Sequence, residues 1–215
     1  MQALINAGGK GSRMGKCGVE KPMQVIGDKP TVQRVVEAIS ASSNIDRLIV
    51  SVSDNTHETE RFLNSIGVET IRTSGESFMD DLHDAFRAMD GDYVLTCPSD
   101  LPLLTTDVVD LFIEYFQPGT MESAIAVVDE ETVVRTGITP SYTREYNGRQ
   151  WVLSGLCIMN RPMTLAGAYL KEYLFETDWV ELSVNVNTLD ELELARSYFN
   201  TTPDIPFNHN RMQSD

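Results

Sequence analysis

The feature that most restricts the fold is an apolar strand running straight into a glycine-rich loop. Ala3-Leu4-Ile5-Asn6-Ala7 is followed by Gly8-Gly9-Lys10-Gly11-Ser12-Arg13-Met14-Gly15. A strand that apolar must be covered on both faces, which is the situation of a central strand in a parallel sheet. Glycines directly after it let backbone N–H groups approach an anion without Cβ obstruction.

The rest of the first half repeats the strand-then-helix pattern. Val32, Val35, Val36 and Ile39 fall at i, i+3, i+4 and i+7 and predict a helix with Pro30 near its first turn. Arg47 to Val52 reads as a second strand. Asn55 is the expected cap of the next helix, which buries Phe62, Leu63 and Ile66. Val68 to Ile71 is a third strand. Phe78, Leu82, Ala85, Phe86 and Met89 form a helical stripe with Ser77 as N-cap. Asp92 to Cys97 is a fourth strand, and Thr106 opens a helix ending near Phe116. This alternation predicts βαβ units and a twisted, mostly parallel sheet in an α/β chain.

The pattern changes after Gly119. Ser123 to Val128 is a strand. Asn147-Gly148 between aromatic flanks is a hairpin signal, and Trp151 to Met159 is the strand that follows. A late antiparallel element is therefore expected. Leu165 to Leu174 reads as a helix and Ser183 to Asn187 as a short strand. Thr188-Leu189-Asp190-Glu191 is a capping box for a last helix reaching about Phe199. One domain over 1–199 and a loose tail over 200–215 are expected.

Charge narrows the partners. Thirty-two acidic against 17 basic residues give a net charge of −15, which argues against nucleic acid and against an anionic membrane. No apolar run is long enough to span a bilayer. Yet Lys10, Arg13, Lys16 and Lys21 face only Glu20 in the first 21 residues. A basic island in an acidic chain points to a small anionic ligand. Cys17, Cys97 and Cys157 match neither a disulfide framework nor a zinc spacing, and no signal peptide is evident, so a reducing cytoplasm is expected.

Two phosphate motifs fail. A P-loop needs G-x-x-x-x-G-K-[ST], and Gly8 to Ser12 has those ingredients in another order. A dinucleotide fold needs G-x-G-x-x-G, and Met14 stands where the third glycine belongs. A merely flexible connection is the weakest reading, since a linker rarely needs three glycines and three cations together. Asp100, in Cys97-Pro98-Ser99-Asp100-Leu101-Pro102, follows the fourth strand and so reaches the crevice at the sheet's C-terminal edge. It reads as a Mg²⁺ ligand or as a turn-former between two prolines. Asn185 and Asn187, two apart, point the same way on a strand. Alone they read as turn and cap residues. Thr73-Ser74-Gly75 is either an ordinary βα turn or a loop approaching a base. Gly155 inside a strand marks a bulge or a close ligand approach, such as a ribose.

Leu4, Ala7-Gly8-Gly9, Gly11, Arg13-Met14 and Lys21-Pro22 resemble the L-x-x-G-G-x-G-x-R-M…K-P signature of the nucleotidyltransferases that activate sugars, alcohols and cofactors. The resemblance implies a Rossmann-like three-layer fold and a loop wrapping a nucleoside triphosphate. Its contacts would come from Leu4, Ala7, Gly8, Gly9, Lys10, Gly11, Ser12, Arg13 and Lys21, with Thr73, Ser74, Gly75 and Gly155 at the base and ribose. Arg13, Lys21 and Asp100 are then the catalytic set. Asp100 and Asn187 would hold Mg²⁺, with Asn185 second to Asn187.

Within that family the chain is most similar to the short archaeal GTP:adenosylcobinamide-phosphate guanylyltransferases of cobalamin synthesis. The carriers are Ala3-Leu4-Ile5, Gly18 to Pro22, Thr73-Ser74-Gly75 with Asp80 and Asp81, Pro98 to Leu101 and Asn185 to Thr188. The resemblance implies GTP and adenosylcobinamide phosphate as substrates, and a homodimer stays open. The molybdenum-cofactor guanylyltransferases, which share the glycine loop and the N-V-N-T ending, are the alternative. Base and acceptor come from the resemblance alone. A non-catalytic nucleotide-binding homologue could dispense with Lys21 or Asp100, and both are present.

Overall fold

The computed structural model describes residues 1–15 and 18–201. The readings of Lys16, Cys17 and residues 202–215 fall outside them. Strands β1 (Gln2–Asn6), β4 (Arg47–Val52), β5 (Glu69–Arg72) and β6 (Tyr93–Pro98) are mutually parallel. A two-strand ribbon, β2 (Val25–Ile26) with β3 (Lys29–Pro30), interrupts the first crossover. Beyond β6 come β7 (Ser123–Asp129), β8 (Thr143–Tyr146), β9 (Arg149–Asn160) and β10 (Glu172–Thr177). The main sheet runs β10-β7-β9-β6-β1-β4-β5, with β8 paired to β9. β9 is antiparallel to β6, β7 and β8, which supplies the expected late antiparallel element.

Helices α1 (Thr31–Ser40), α2 (His57–Ser65), α3 (Phe78–Arg87), α4 (Thr106–Tyr115), α5 (Glu130–Thr136), α6 (Arg161–Leu165) and α7 (Leu189–Thr201) cover the sheet. Side chains alternate along β1. Ala3 and Ile5 meet Val32, Val35, Leu63, Val109 and Phe112 from α1, α2 and α4, while Leu4 meets Leu82, Ala85 and Phe86 from α3. The result is three layers. Each fully buried side chain of α1, such as Val32, Val35 and Ile39, contributes roughly 1.5–3 kcal/mol.

Local signals place most elements. Ser77 caps α3 by accepting from the Asp80 amide. The α7 capping box closes in both directions: Thr188 Oγ1 accepts from the Glu191 amide, and Glu191 Oε2 accepts from Thr188 N. Asn147 (φ 52°) and Gly148 (φ 73°) make the β8–β9 turn.

Three expectations are corrected. Leu165 to Leu174 is not a helix: α6, capped by Asn160 with Pro162 in its first turn, is already over at Leu165. Gly167 at φ 73° turns the chain, and residues from Glu172 pair with β7 as an edge strand. There Leu174 faces one side of the sheet and Phe175 the other, a period-2 pattern that the helical reading overrode. Ser183 to Asn187 is not a strand: it pairs with no described strand. The segment inserts Val184 and Val186 into the core, with Ser183 N donating to Val180 O at 3.0 Å and Val186 N to Asp100 O at 2.9 Å. Asn55 does not cap α2. Thr56 is the N-cap, its hydroxyl turned back to Ser53, and the first amides of α2 are received by Glu20. Helix α5 went unread, since its seven residues are too short for a periodic signal. α7 runs to Thr201, so the first two residues of the expected tail are helical.

Candidate active site

β1 and β6 are adjacent and parallel, with Asn6 opposite Pro98. The chain steps from β1 outward to β4 and β5, then returns to β6 on the other side of β1. That reversal leaves a crevice at the C-terminal ends of β1 and β6, where open α/β sheets bind ligands. The glycine loop leaves β1 there, and Ser99-Asp100 leaves β6 at the same level, with Ser99 N donating to Asn6 O at 3.2 Å. The cleft between them, about 240 Å³, is lined by Ala7, Gly9 to Arg13, Lys21, Ser99, Asp100 and Asn187, together with Asn6, Pro22 and Pro98.

The loop is pinned so that its charges face inward. Met14 is buried and ends a turn of 3₁₀ helix, Ser12–Met14, closed by Met14 N to Gly11 O at 3.0 Å. Gly11, at φ 60°, comes so near the far side of the loop that a Cβ would lie 3.3 Å from the Lys21 Cβ. Arg13 Nη2 donates to Asn187 Oδ1 at 2.9 Å. Lys21 Nζ donates to the same oxygen at 2.8 Å and to Asp100 Oδ2 at 2.5 Å. Asn185 Nδ2 reaches Asp100 Oδ1 at 3.4 Å and Ser154 O at 3.3 Å. Lys10 is different: its ammonium pairs with Glu76 at 2.8 Å with both side chains largely exposed, a pair worth little that an anionic ligand can displace.

The donor set suits one hard cation. Asp100 Oδ2 and Asn187 Oδ1 already converge on the Lys21 ammonium, so both oxygens face the point a cation takes. One carboxylate and one amide oxygen, completed by phosphate oxygens and water, is a usual Mg²⁺ arrangement. Among the described residues no group of three or more His, Cys, Asp or Glu could hold a metal by itself. Asn187, rather than Asn185, carries the oxygen aimed at the cations, while Asn185 presents its amide N–H₂ to Asp100.

Behind Asp100, Cys97 is fully buried. Burial, reinforced by the Asp100 charge, pushes its thiol well above the usual range, so it stays protonated and is no nucleophile.

The other sequence-chosen residues, Leu4, Gly8, Thr73, Ser74, Gly75 and Gly155, are not among those lining the cleft. Leu4 is a core residue under α3. Gly8 lies against β4, with its carbonyl accepting from Ser53 Oγ at 2.6 Å and Asn55 Nδ2 at 3.4 Å. Gly75 rests on the same two side chains. Asp81 holds that loop by accepting from Ser74 Oγ at 2.8 Å and from Gly75 N at 3.0 Å. Thr73 N donates to Val52 O at 2.9 Å. So Thr73-Ser74-Gly75 meets the glycine loop through Ser53 and Asn55. Ser53 carried no motif signal and went unread, as did the tie from Glu20 to α2. Gly155 is at φ 86° in the bulged part of β9, and its open side is filled by Pro98, where a Cβ would meet Cγ at 3.0 Å. It is not among the residues lining the cleft.

A family model described as the MobA-like NTP transferase domain matches residues 3–172. An adenosylcobinamide-phosphate guanylyltransferase of Methanocaldococcus jannaschii is 29% identical, over 91% of this chain and 95% of the relative. A probable molybdenum cofactor guanylyltransferase of Haloferax mediterranei is 24% identical, over 90% and 92%. Among solved structures, a nucleotidyl transferase from Methanothermobacter superimposes with a TM-score of 0.68 at 18% identity, covering 94% of this chain and 98% of that one, a likeness of fold.

Proposed function

The chain belongs to the MobA-like NTP transferase family, and from that premise we propose that it transfers GMP from GTP to adenosylcobinamide phosphate with release of pyrophosphate. The observation that carries the chemistry is the meeting of Arg13, Lys21, Asp100 and Asn187 in one hydrogen-bonded cluster at the mouth of the glycine loop. The acceptor and base rest on the likeness to the Methanocaldococcus guanylyltransferase, which extends over nearly the whole of both chains.

In this reading the loop from Gly8 to Ser12 wraps the triphosphate with backbone N–H groups. Arg13 and Lys21 exchange Asn187 for phosphate oxygens. An acceptor phosphate oxygen attacks the α-phosphorus in line, and the bond to the pyrophosphate oxygen breaks. Negative charge shifts onto the pyrophosphate and the equatorial oxygens, so fixed cations there stabilise the transition state more than the ground state. The acceptor phosphate is already ionised at neutral pH and needs no general base, in keeping with a cleft that no histidine among the described residues lines. Asp100 and Asn187 would hold Mg²⁺, which would supply Lewis-acid stabilisation of the phosphoryl oxygens. Asn185 keeps the Asp100 carboxylate turned inward.

The proposed compartment is the cytoplasm, in line with Cys97 and Cys157 both being free thiols. No helix among the described residues is long and apolar enough to cross a membrane. Sedimentation velocity separates a monomer from the homodimer that the reading admits.

The test is pyrophosphate release from GTP with adenosylcobinamide phosphate, against CTP and ATP and against a molybdopterin acceptor. Release with GTP and the cobinamide acceptor supports the reading. Release only with molybdopterin moves the acceptor to the molybdenum-cofactor class, and preference for another nucleotide overturns the base.

A further inference from the structure

Helix α2 is capped by a residue from a distant part of the chain. Glu20 Oε1 accepts from Glu58 N at 2.7 Å, and its Oε2 accepts from Thr59 N and Thr59 Oγ1, each at 2.7 Å. The helix does not supply this cap itself: Thr56, at the N-cap position, makes no side-chain cap bond. A carboxylate at a helix N-terminus satisfies orphan amides and meets the positive end of the helix dipole. The backbone of Glu20 has a second task. Its carbonyl accepts from Met23 N at 2.9 Å and so opens the 3₁₀ turn Lys21–Met23. Lys21 is thus the first residue of a turn whose entry is clamped, side chain and main chain, to α2.

The segment that receives the clamp also holds the opposite half of the loop. Ser53, three residues before Thr56, fixes the Gly8 carbonyl at 2.6 Å, and Gly75 rests on Ser53. Both ends of the glycine loop are therefore referenced to the stretch from Ser53 to Thr59. Gly8 is tied to it through Ser53, and Lys21 through Glu20.

From this we infer that Glu20 is a positioning residue for phosphoryl transfer, setting the register of the Lys21 ammonium against the triphosphate through α2. The inference rests on the proposed role of Lys21 and adds a residue that touches neither substrate nor metal. A one-ångström displacement of a group that stabilises developing charge is costly in rate, whereas ground-state binding by the glycine loop tolerates it.

Glu20→Gln tests it. One acceptor oxygen is replaced by an N–H₂ that faces the amides of α2. The expected result is a kcat lowered about 10- to 100-fold with the GTP Kd, from calorimetry, changed only slightly. Glu20→Asp keeps two acceptor oxygens and restores part of the rate. In a Lys21→Ala background, Glu20→Gln has almost no further effect on kcat. Equal rate losses in both backgrounds, or a loss confined to GTP affinity, overturn the inference and leave Glu20 a cap for α2 alone. A second readout needs no turnover. In the nucleotide-free protein the Lys21 ¹³Cε resonance moves toward that of free lysine in Glu20→Gln, because its pairing with Asp100 and Asn187 loosens. An unmoved resonance also overturns the inference. Wild type that binds GTP but fails with adenosylcobinamide phosphate refutes the acceptor assignment, while the resonance still decides the role of Glu20.

Discussion

Lys21 and Asp100, 79 residues apart in sequence, form a mostly buried ion pair of 2.5 Å, and the same ammonium also bonds Asn187. Under the proposed function, this contact joins the cation assigned to phosphate with the carboxylate assigned to the metal, and bound substrate would rearrange it.

Lys21→Ala is expected to lower kcat by on the order of 10²–10³, the loss typical of one preorganised donor. GTP affinity should fall less, since the glycine loop remains. Arg13→Ala should lower kcat and also weaken GTP binding, because its guanidinium can fork onto two phosphates. Steady-state kinetics paired with calorimetric GTP titration separate the two. Normal turnover with collapsed affinity in Lys21→Ala would make Lys21 a binding residue only.

Asp100→Asn should remove most turnover while circular dichroism and melting stay close to wild type, since an asparagine can still accept from Lys21. Mn²⁺ titration followed by electron paramagnetic resonance with GTP present should show weakened metal binding. A near-wild-type rate would return Asp100 to a turn-forming role.

Gly9 and Gly75 should respond differently to alanine. At Gly9 a Cβ meets nothing within 4 Å, so the melting temperature should hold while GTP binding weakens through obstruction of the loop. At Gly75, φ is 69° and a Cβ would lie 2.5 Å from Ser53 Oγ. Gly75→Ala should cost about 1–3 kcal/mol by strain and overpacking, measured by urea unfolding. Equal stability of the two variants would contradict the packing of Gly75 on Ser53.

Two thiols, Cys97 buried and Cys157 part-buried, set an alkaline limit. Burial pushes Cys157 up to about 12 and Cys97 well above its usual value. In the unfolded chain both ionise from about pH 9, so there the unfolded state binds fewer protons and stability falls as pH rises. The slope approaches about 1.4 kcal/mol per pH unit for each thiol. Urea midpoints between pH 8 and 10.5 should fall accordingly. Alkylation at pH 8.5, mapped by peptide mass, should spare the buried Cys97 in the native protein.

Sequence alone determined what depends on neighbours within one turn or one strand. The Ser77 cap, the Thr188–Glu191 box and the Asn147-Gly148 turn are each closed by interactions a few residues apart, and the apolar run of β1 with its glycines is itself a local pattern. The residue types of the cleft were legible for the same reason: glycines and cations after a strand state their chemistry locally. Tertiary structure decided everything that needed a distant partner. Residues 172–177 are a strand because they pair with the edge that β7 offers, and 183–187 are not because they pair with no described strand and instead bury Val184 and Val186. Asn187 outranks Asn185 because Arg13 and Lys21 arrive from 174 and 166 residues away. Glu20 looked like one acid in a basic stretch, and only the fold brings it 38 residues across to the first amides of α2. Such contacts leave no periodic or spacing signal, because sequence patterns record the face a residue presents and not the partner that the sheet brings to it.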